Sequence, residues 1–236
     1  MAIRTYTNWN RRTSDKEKQK EPYKKYFFIC EGVNTEQYYF KHLIDIKKTL
    51  GIKPVIDMRL LEKDNEDSGI SFPLNLIEYA NKLKSKREID FDKKRDKMII
   101  VFDADIFEFK SDRYDEIVEK GKSSGNILGV TNPSFELFLL LHFDGSFEQD
   151  ILGNEEEYLK EENLSKKGYV YQKLFKKTKM NSRKNPKIGE LANNIFIAIK
   201  QEKLINQDIE CCKGRLTSNI GKIVESIIKD EGESDT

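Results

Sequence analysis

Two apolar runs that break off at acids constrain this chain more than any other feature. Tyr26-Phe27-Phe28-Ile29-Cys30 runs into Glu31-Gly32, and Met98-Ile99-Ile100-Val101-Phe102 runs into Asp103-Ala104-Asp105. A short continuous apolar run bounded by polar residues reads as a strand buried on both faces. Further strands are expected at 55–61 and 126–130, with helices at 35–50, 73–86 and 112–122. Asn34 and Gln37 have the spacing of a capping box, Gly51 ends the first helix, and Pro73 opens the second. Strand and helix alternating at this rhythm predict an α/β fold around a parallel sheet of about four strands.

Asn132-Pro133 is expected to start another helix, with Asn as N-cap and Pro at the first helical position. Phe135 to Phe143 is apolar almost all round, so that helix is buried. Beyond it the chain reads as mostly helical, with helical periodicity at 189–203 and 216–229. The expected organisation is a basic flexible arm at 1–25, an α/β domain at 26–145, a helical region at 146–230 packing on it, and an acidic tail at 231–236.

The charge balance, 42 Lys and Arg against 41 Asp and Glu, excludes a uniformly basic nucleic-acid coat. It is a sum of segregated blocks. The first 25 residues hold eight bases against three acids, residues 144–162 hold eight acids against one Lys, and residues 165–189 hold nine bases and no acid. That last stretch interleaves Tyr169, Tyr171 and Phe175 with Lys166, Lys167, Lys173, Lys176, Lys177, Lys179, Arg183 and Lys184. Bases mixed with rings suit a surface that follows a phosphate backbone, and these eight residues are the expected nucleic-acid contacts. An alternative is a solvated face neutralised by the acidic block before it. Three cysteines, two of them adjacent, give neither a disulfide framework nor a zinc spacing, and Cys30 reads as a small core residue. The longest apolar cluster is far short of a membrane span. With no apolar N-terminal segment, a cytoplasmic protein without membrane contact is expected.

In an open parallel sheet, ligands bind outside the carboxyl ends of the strands, where the strand order reverses. Counted in chain order, a sheet ordered 2-1-3-4 would place the ends of the first and third strands side by side, and Glu31, Asp103 and Asp105 would then converge. Asp103 and Asp105 are two apart and share a side, with Ala104 opposite. Three carboxylates with no Lys or Arg between them repel, and a hard divalent ion, Mg²⁺ or Mn²⁺, is their natural partner. Each acid taken alone can equally be a solvated loop residue or a helix cap. Thr35 and Glu36, in the first turn of the first helix, either add to such a site or complement the helix dipole. Glu136, an acid in an apolar helix, either faces the site or bonds back toward Asn132. Glu136 and His142 lie too far apart around the helix to serve one site. His142 reads as a core histidine and His42 as exposed.

CEGVNTEQYYF (30–40), VFDADIF (101–107) and NPSFELFLLLHF (132–143) resemble the signature blocks of the RloB-like proteins. That family includes an AbiL-type abortive-infection component and is similar to the Toprim superfamily of topoisomerases, primases and OLD-type nucleases. The resemblance covers about residues 20–145, with a weaker echo at 215–229. It implies a Toprim-like, Rossmannoid fold and Mg²⁺- or Mn²⁺-dependent phosphodiester chemistry on DNA or RNA, tRNA included. Glu31 is implied as general acid/base or metal ligand, and Asp103 and Asp105 as metal ligands. Gly32, Thr35, Glu36, Asn132, Ser134 and Glu136 become candidates around them. The resemblance also implies a role in bacterial phage defence beside an AAA/ABC-type ATPase. The loop 62–71 departs from the Gly-rich form of relatives. A second reading keeps the fold without turnover, as a docking or nucleotide-binding module of the ATPase complex. A phosphoacceptor receiver domain fits less well, because receivers carry paired acids after the first strand and one Asp after the third.

Overall fold

The computed structural model describes residues 3–9, 22–63, 72–104, 111–159 and 168–232. Its framework is one six-stranded sheet. The strands are β1 (Arg4–Tyr6), β2 (Lys24–Cys30), β3 (Ile56–Glu62), β4 (Lys97–Asp103), β5 (Asn126–Asn132) and β6 (Thr217–Ser218), in the order β1-β3-β2-β4-β5-β6. The four inner strands are parallel and stand in the 2-1-3-4 order that convergence of the strand-end acids requires, while β1 and β6 are antiparallel edges. The sheet is therefore wider than the four strands expected.

Alternation along the strands makes two cores. Tyr26, Phe28 and Cys30 of β2 face one side with Ile99 and Val101 of β4, and Phe27 and Ile29 face the other with Met98, Ile100 and Phe102. β2 and β4 are thus apolar on both faces, which is why each reads as a continuous run rather than an alternating one. The second face is covered by α2 (Pro73–Lys84) and α3 (Ser111–Ser123). The first face carries more: α1 (Thr35–Asp45), α4 (Phe135–Leu140), the short α5 (Glu155–Leu159), α6 (Tyr169–Thr178), α7 (Ile195–Glu202) and α8 (Ile220–Ile228). Apolar residues of the C-terminal region, such as Leu174, Ile188, Ile199 and Val224, belong to the same cluster as the β2 side chains. Gly189 sits so close to α1 that a Cβ there would stand 2.2 Å from the Tyr38 carbonyl oxygen, so only glycine permits this approach.

Several expectations need correction. Residues 4–9, read as part of a flexible arm, are tied to the domain. Arg4–Tyr6 pairs with β3, the Tyr6 hydroxyl donates to Asp45 at 2.7 Å, and Thr7 donates to the fully buried Asp57 at 2.8 Å. Lys24 and Lys25, also assigned to the arm, lie within β2. The helix expected from Asn132-Pro133 begins later. Asn132 ends β5 by pairing with Thr217, its amide donates to the carbonyls of Cys212 and Arg215, and Ser134 precedes the first helical residue, Phe135. Finally, Asn34 precedes α1 as expected but makes no capping bond with its side chain, so the capping box does not form. His142 is a buried core histidine, as the sequence suggested. Its Nδ1–H donates to the Phe138 carbonyl and its Nε2 accepts from the Tyr39 hydroxyl at 2.9 Å, while burial lowers its pKa to about 4 and keeps it neutral. His42 is only half-exposed rather than free in solvent. Among the described residues no helix is long and apolar enough to cross a membrane.

Candidate active site

The parallel register sets Cys30 against Val101 and Asp103 against Thr131, so β2 and β4 end together and their terminal acids meet. The Asp103 N–H donates to Glu31 Oε2 at 3.2 Å, and the Thr131 hydroxyl donates to Asp103 Oδ1 at 2.5 Å. Both carboxylates are thereby oriented by the sheet. Ala104, on the opposite side of the chain, packs into the second core as the strand alternation requires.

Glu31 and Asp103 open into a pocket of about 290 Å³ that also exposes Gly32, Thr35, Glu36, Ser134, Glu136 and Arg183. Glu36 reaches it by folding back over Gly32. A Cβ on Gly32 would stand 2.1 Å from Glu36 Oε2, so glycine here makes room for the carboxylate. Burial raises the Glu36 carboxyl to about 7; main-chain N–H groups of Glu36 and Gly32 pull it down, and the Glu136 charge pushes it up. Glu136 is buried and accepts from the buried Ser182 hydroxyl at 2.9 Å. Of the two expectations for Glu136, the structure realises the one that faces the site. Asn132 does not line the pocket, because its side chain holds the 212–215 turn.

Two cations enter where the sequence suggested none. Lys63 follows β3 and donates to the main-chain oxygen of Glu31 at 2.5 Å; burial lowers its pKa, and the Glu31 and Glu36 charges raise it. Arg183 arrives from a turn after α6 that is fixed at both ends. Lys179 adopts a left-handed conformation at φ 57° to close the helix, and the N–H groups of Arg183 and Lys184 return to Asn181. Lys63 was hidden because Glu62, Asp64, Glu66 and Asp67 surround it in the sequence. Arg183 and Ser182 were hidden by distance along the chain, although Arg183 stood among the expected nucleic-acid contacts.

The remaining predicted contacts divide. Lys177 pairs with Asp150 at 2.8 Å, so for this residue the acidic block is the counter-charge. Lys173 lies over the Tyr169 ring, and Lys176, Lys179 and Lys184 are exposed. Asp105, Lys166 and Lys167 lie outside the described residues.

Four carboxylates and one guanidinium line the pocket, so its donors are hard oxygens and its charge is negative. That chemistry fits Mg²⁺ or Mn²⁺. Among the described residues no three acids, histidines or cysteines are grouped closely enough to hold an ion; Glu31 and Asp103 meet as a pair. A second cavity of about 740 Å³ lies at the other end of β5, lined by Asn126, Ile127, Asn206, Lys222 and Ile223 among others. It is larger but holds only one carboxylate, Asp208, so the smaller pocket is the better candidate for chemistry on phosphates.

The model of the RloB-like protein family matches residues 26–227, and the chain belongs to that family. The match reaches well past the 20–145 stretch on which the sequence resemblance rested, and takes in the Ser182–Arg183 turn. Comparison with curated proteins and with solved structures returned no match.

Proposed function

We propose that this RloB-like chain is a Mg²⁺- or Mn²⁺-dependent nuclease with a Toprim-like domain, acting as the effector of a bacterial phage-defence system under an AAA/ABC-type ATPase. The observation that carries the chemistry is the meeting of Glu31 and Asp103 at the carboxyl ends of two adjacent parallel strands, in a pocket with Glu36, Glu136 and Arg183. Family membership supports the defence role and the ATPase partner.

Glu31 and Asp103, with Asp105, would hold the ion, which supplies Lewis-acid neutralisation of phosphate charge. The chain supplies position and protons. Thr131 and the Asp103 N–H fix the two carboxylates before substrate arrives, so little reorganisation is needed during reaction. Glu36, whose carboxyl burial raises to about 7, suits proton transfer to a leaving oxygen. Arg183 places a positive fork where a non-bridging oxygen would lie.

The test is a cleavage assay on plasmid DNA, single-stranded DNA and total tRNA, with Mg²⁺, Mn²⁺ or chelator, alone and with the ATPase. Wild type should cut only with a divalent ion, and Glu31→Gln and Asp103→Asn should each lose roughly a hundredfold or more. Equal cutting by wild type and both variants would overturn the site. No cutting in any combination, with the ATPase still bound, would favour the docking module instead.

A further inference from the structure

A line of flat groups leads from solvent into the carboxylate pocket. Tyr171 and Phe175 are four apart on α6, so they share one helix face. Their rings are stacked, 6.3 Å apart and only 14° from parallel. Tyr171 is buried, whereas Phe175 is 43 % exposed, a large apolar ring left in water. The Arg183 guanidinium carbon lies 5.7 Å from the centre of the Tyr171 ring, and Arg183 also lines the pocket of Glu31 and Asp103. Among the described residues Arg183 makes no ion pair, despite four carboxylates lining the same pocket. Exposed Lys176 and Lys179 flank the ring on the same helix and its cap.

We infer that Phe175, Tyr171 and Arg183 form the entry track for an unpaired strand of nucleic acid, with a base stacked on Phe175 and a backbone phosphate held by Arg183 at the mouth of the carboxylate pocket. The inference deepens the nuclease reading and rests on it only for what happens beyond Arg183. A parallel aromatic face accepts any nucleobase, but only where the base is unstacked from its neighbours. In a duplex both faces of the base are covered, and Phe175 has nothing to take. The guanidinium, kept in place by Tyr171 rather than by an acid, is left for an anion. An acidic peptide is a poorer fit, since it brings an anion but no flat bases to match the rings.

Binding can be read without cleavage. Fluorescein-labelled short single strands of DNA and of RNA, and the matching duplexes, would be titrated with full-length protein in chelator across a salt series. A parallel set would carry 2-aminopurine, whose emission is quenched when it stacks. Wild type should bind single strands more tightly than duplex and quench 2-aminopurine. Phe175→Ala, which removes an exposed ring, should keep the wild-type circular dichroism, weaken single-strand binding about tenfold and abolish the quenching. Arg183→Ala should weaken binding and lower the slope of log K against log salt by about 0.7, and Arg183→Lys should restore the slope. DNA and RNA arms that differ would name the preferred strand. Equal affinity for duplex, or unchanged quenching in Phe175→Ala, would overturn the track. If wild type cuts nucleic acid yet both variants bind as wild type does, the track fails and the nuclease reading stands. If binding follows these expectations but no divalent ion supports cleavage, the nuclease reading fails and the track stands.

Discussion

Glu36 and Glu202 are both buried glutamates whose carboxylates meet the start of a helix, and they are built to opposite ends. Glu202 is fully buried and receives four donors: the Ser218 hydroxyl at 2.6 Å, the Gln207 amide, and the N–H groups of Gly221 and Lys222 at the start of α8, each of the last three at 2.8 Å. It ends one helix, α7, and caps another, filling donors that the first turn of α8 cannot satisfy itself. Burial still raises its carboxyl, but no other acid is among the leading causes. Among the described residues Glu36 is met by main-chain N–H groups of Gly32 and its own position and by the Lys63 charge, and it faces a second buried acid, Glu136. One carboxylate has more donors than oxygens. The other shares a pocket with three more acids. The count of donors for each acid separates a carboxylate that holds the fold from one that is kept for a ligand.

Substitutions should break along that line. The largest loss of stability is expected for Glu202→Ala, about 3 kcal/mol or more in urea unfolding, because several buried donors lose their acceptor together. Glu202→Gln keeps one acceptor oxygen and should cost about 1–2 kcal/mol. Ser182→Ala removes one bond to Glu136 and should cost about 1 kcal/mol, while loosening the turn that presents Arg183. Asp103→Asn keeps an acceptor for Thr131 and should change stability by less than about 0.5 kcal/mol while removing cleavage. An Asp103→Asn protein that unfolds as readily as Glu202→Ala would erase the distinction.

The pH dependence sharpens it further. The Glu36 carboxyl is raised from 4.5 to about 7, so between these values the folded chain binds more protons than the unfolded one. Stability from this group is therefore full below about pH 4.5 and is lost as pH rises toward 7. In metal-free buffer, unfolding midpoints of wild type should fall across that window, and Glu36→Gln should flatten the fall. A wild-type profile that rises there, or a slope that Glu36→Gln leaves intact, would show that the pocket relieves Glu36 in another way.

Legibility in the sequence followed the range of the interaction. The β2 and β4 runs and their terminal acids could be read because strands buried on both faces leave local patterns, whereas the order of the inner strands was a condition that only the topology supplies. Thr35, Glu36, Ser134 and Glu136 could be named because each lies within a block that resembles the family's signatures. Asn132 misled, since Asn before Pro is a sound helix-start signal and only pairing with Thr217 keeps it in the sheet. Glu202 sat unnoticed in an ordinary helical stretch, since nothing near it in sequence says that α8 will begin at its side chain.

By itself, then, the sequence determined the alternating α/β framework, the placing of Glu31 and Asp103 at the ends of two buried strands, and membership of a family whose blocks contain those acids. Period and polarity are local properties, and a strand buried on both faces has few ways to be written. Tertiary structure alone decided which cations answer those acids. Lys63 comes from the end of a neighbouring strand and Arg183 from a turn about 150 residues beyond Glu31. It also decided that residues 4–9 join the sheet and that Glu202 caps α8. These depend on how helices pack across one face of the sheet, and packing brings together residues whose separation along the chain carries no signal of their contact.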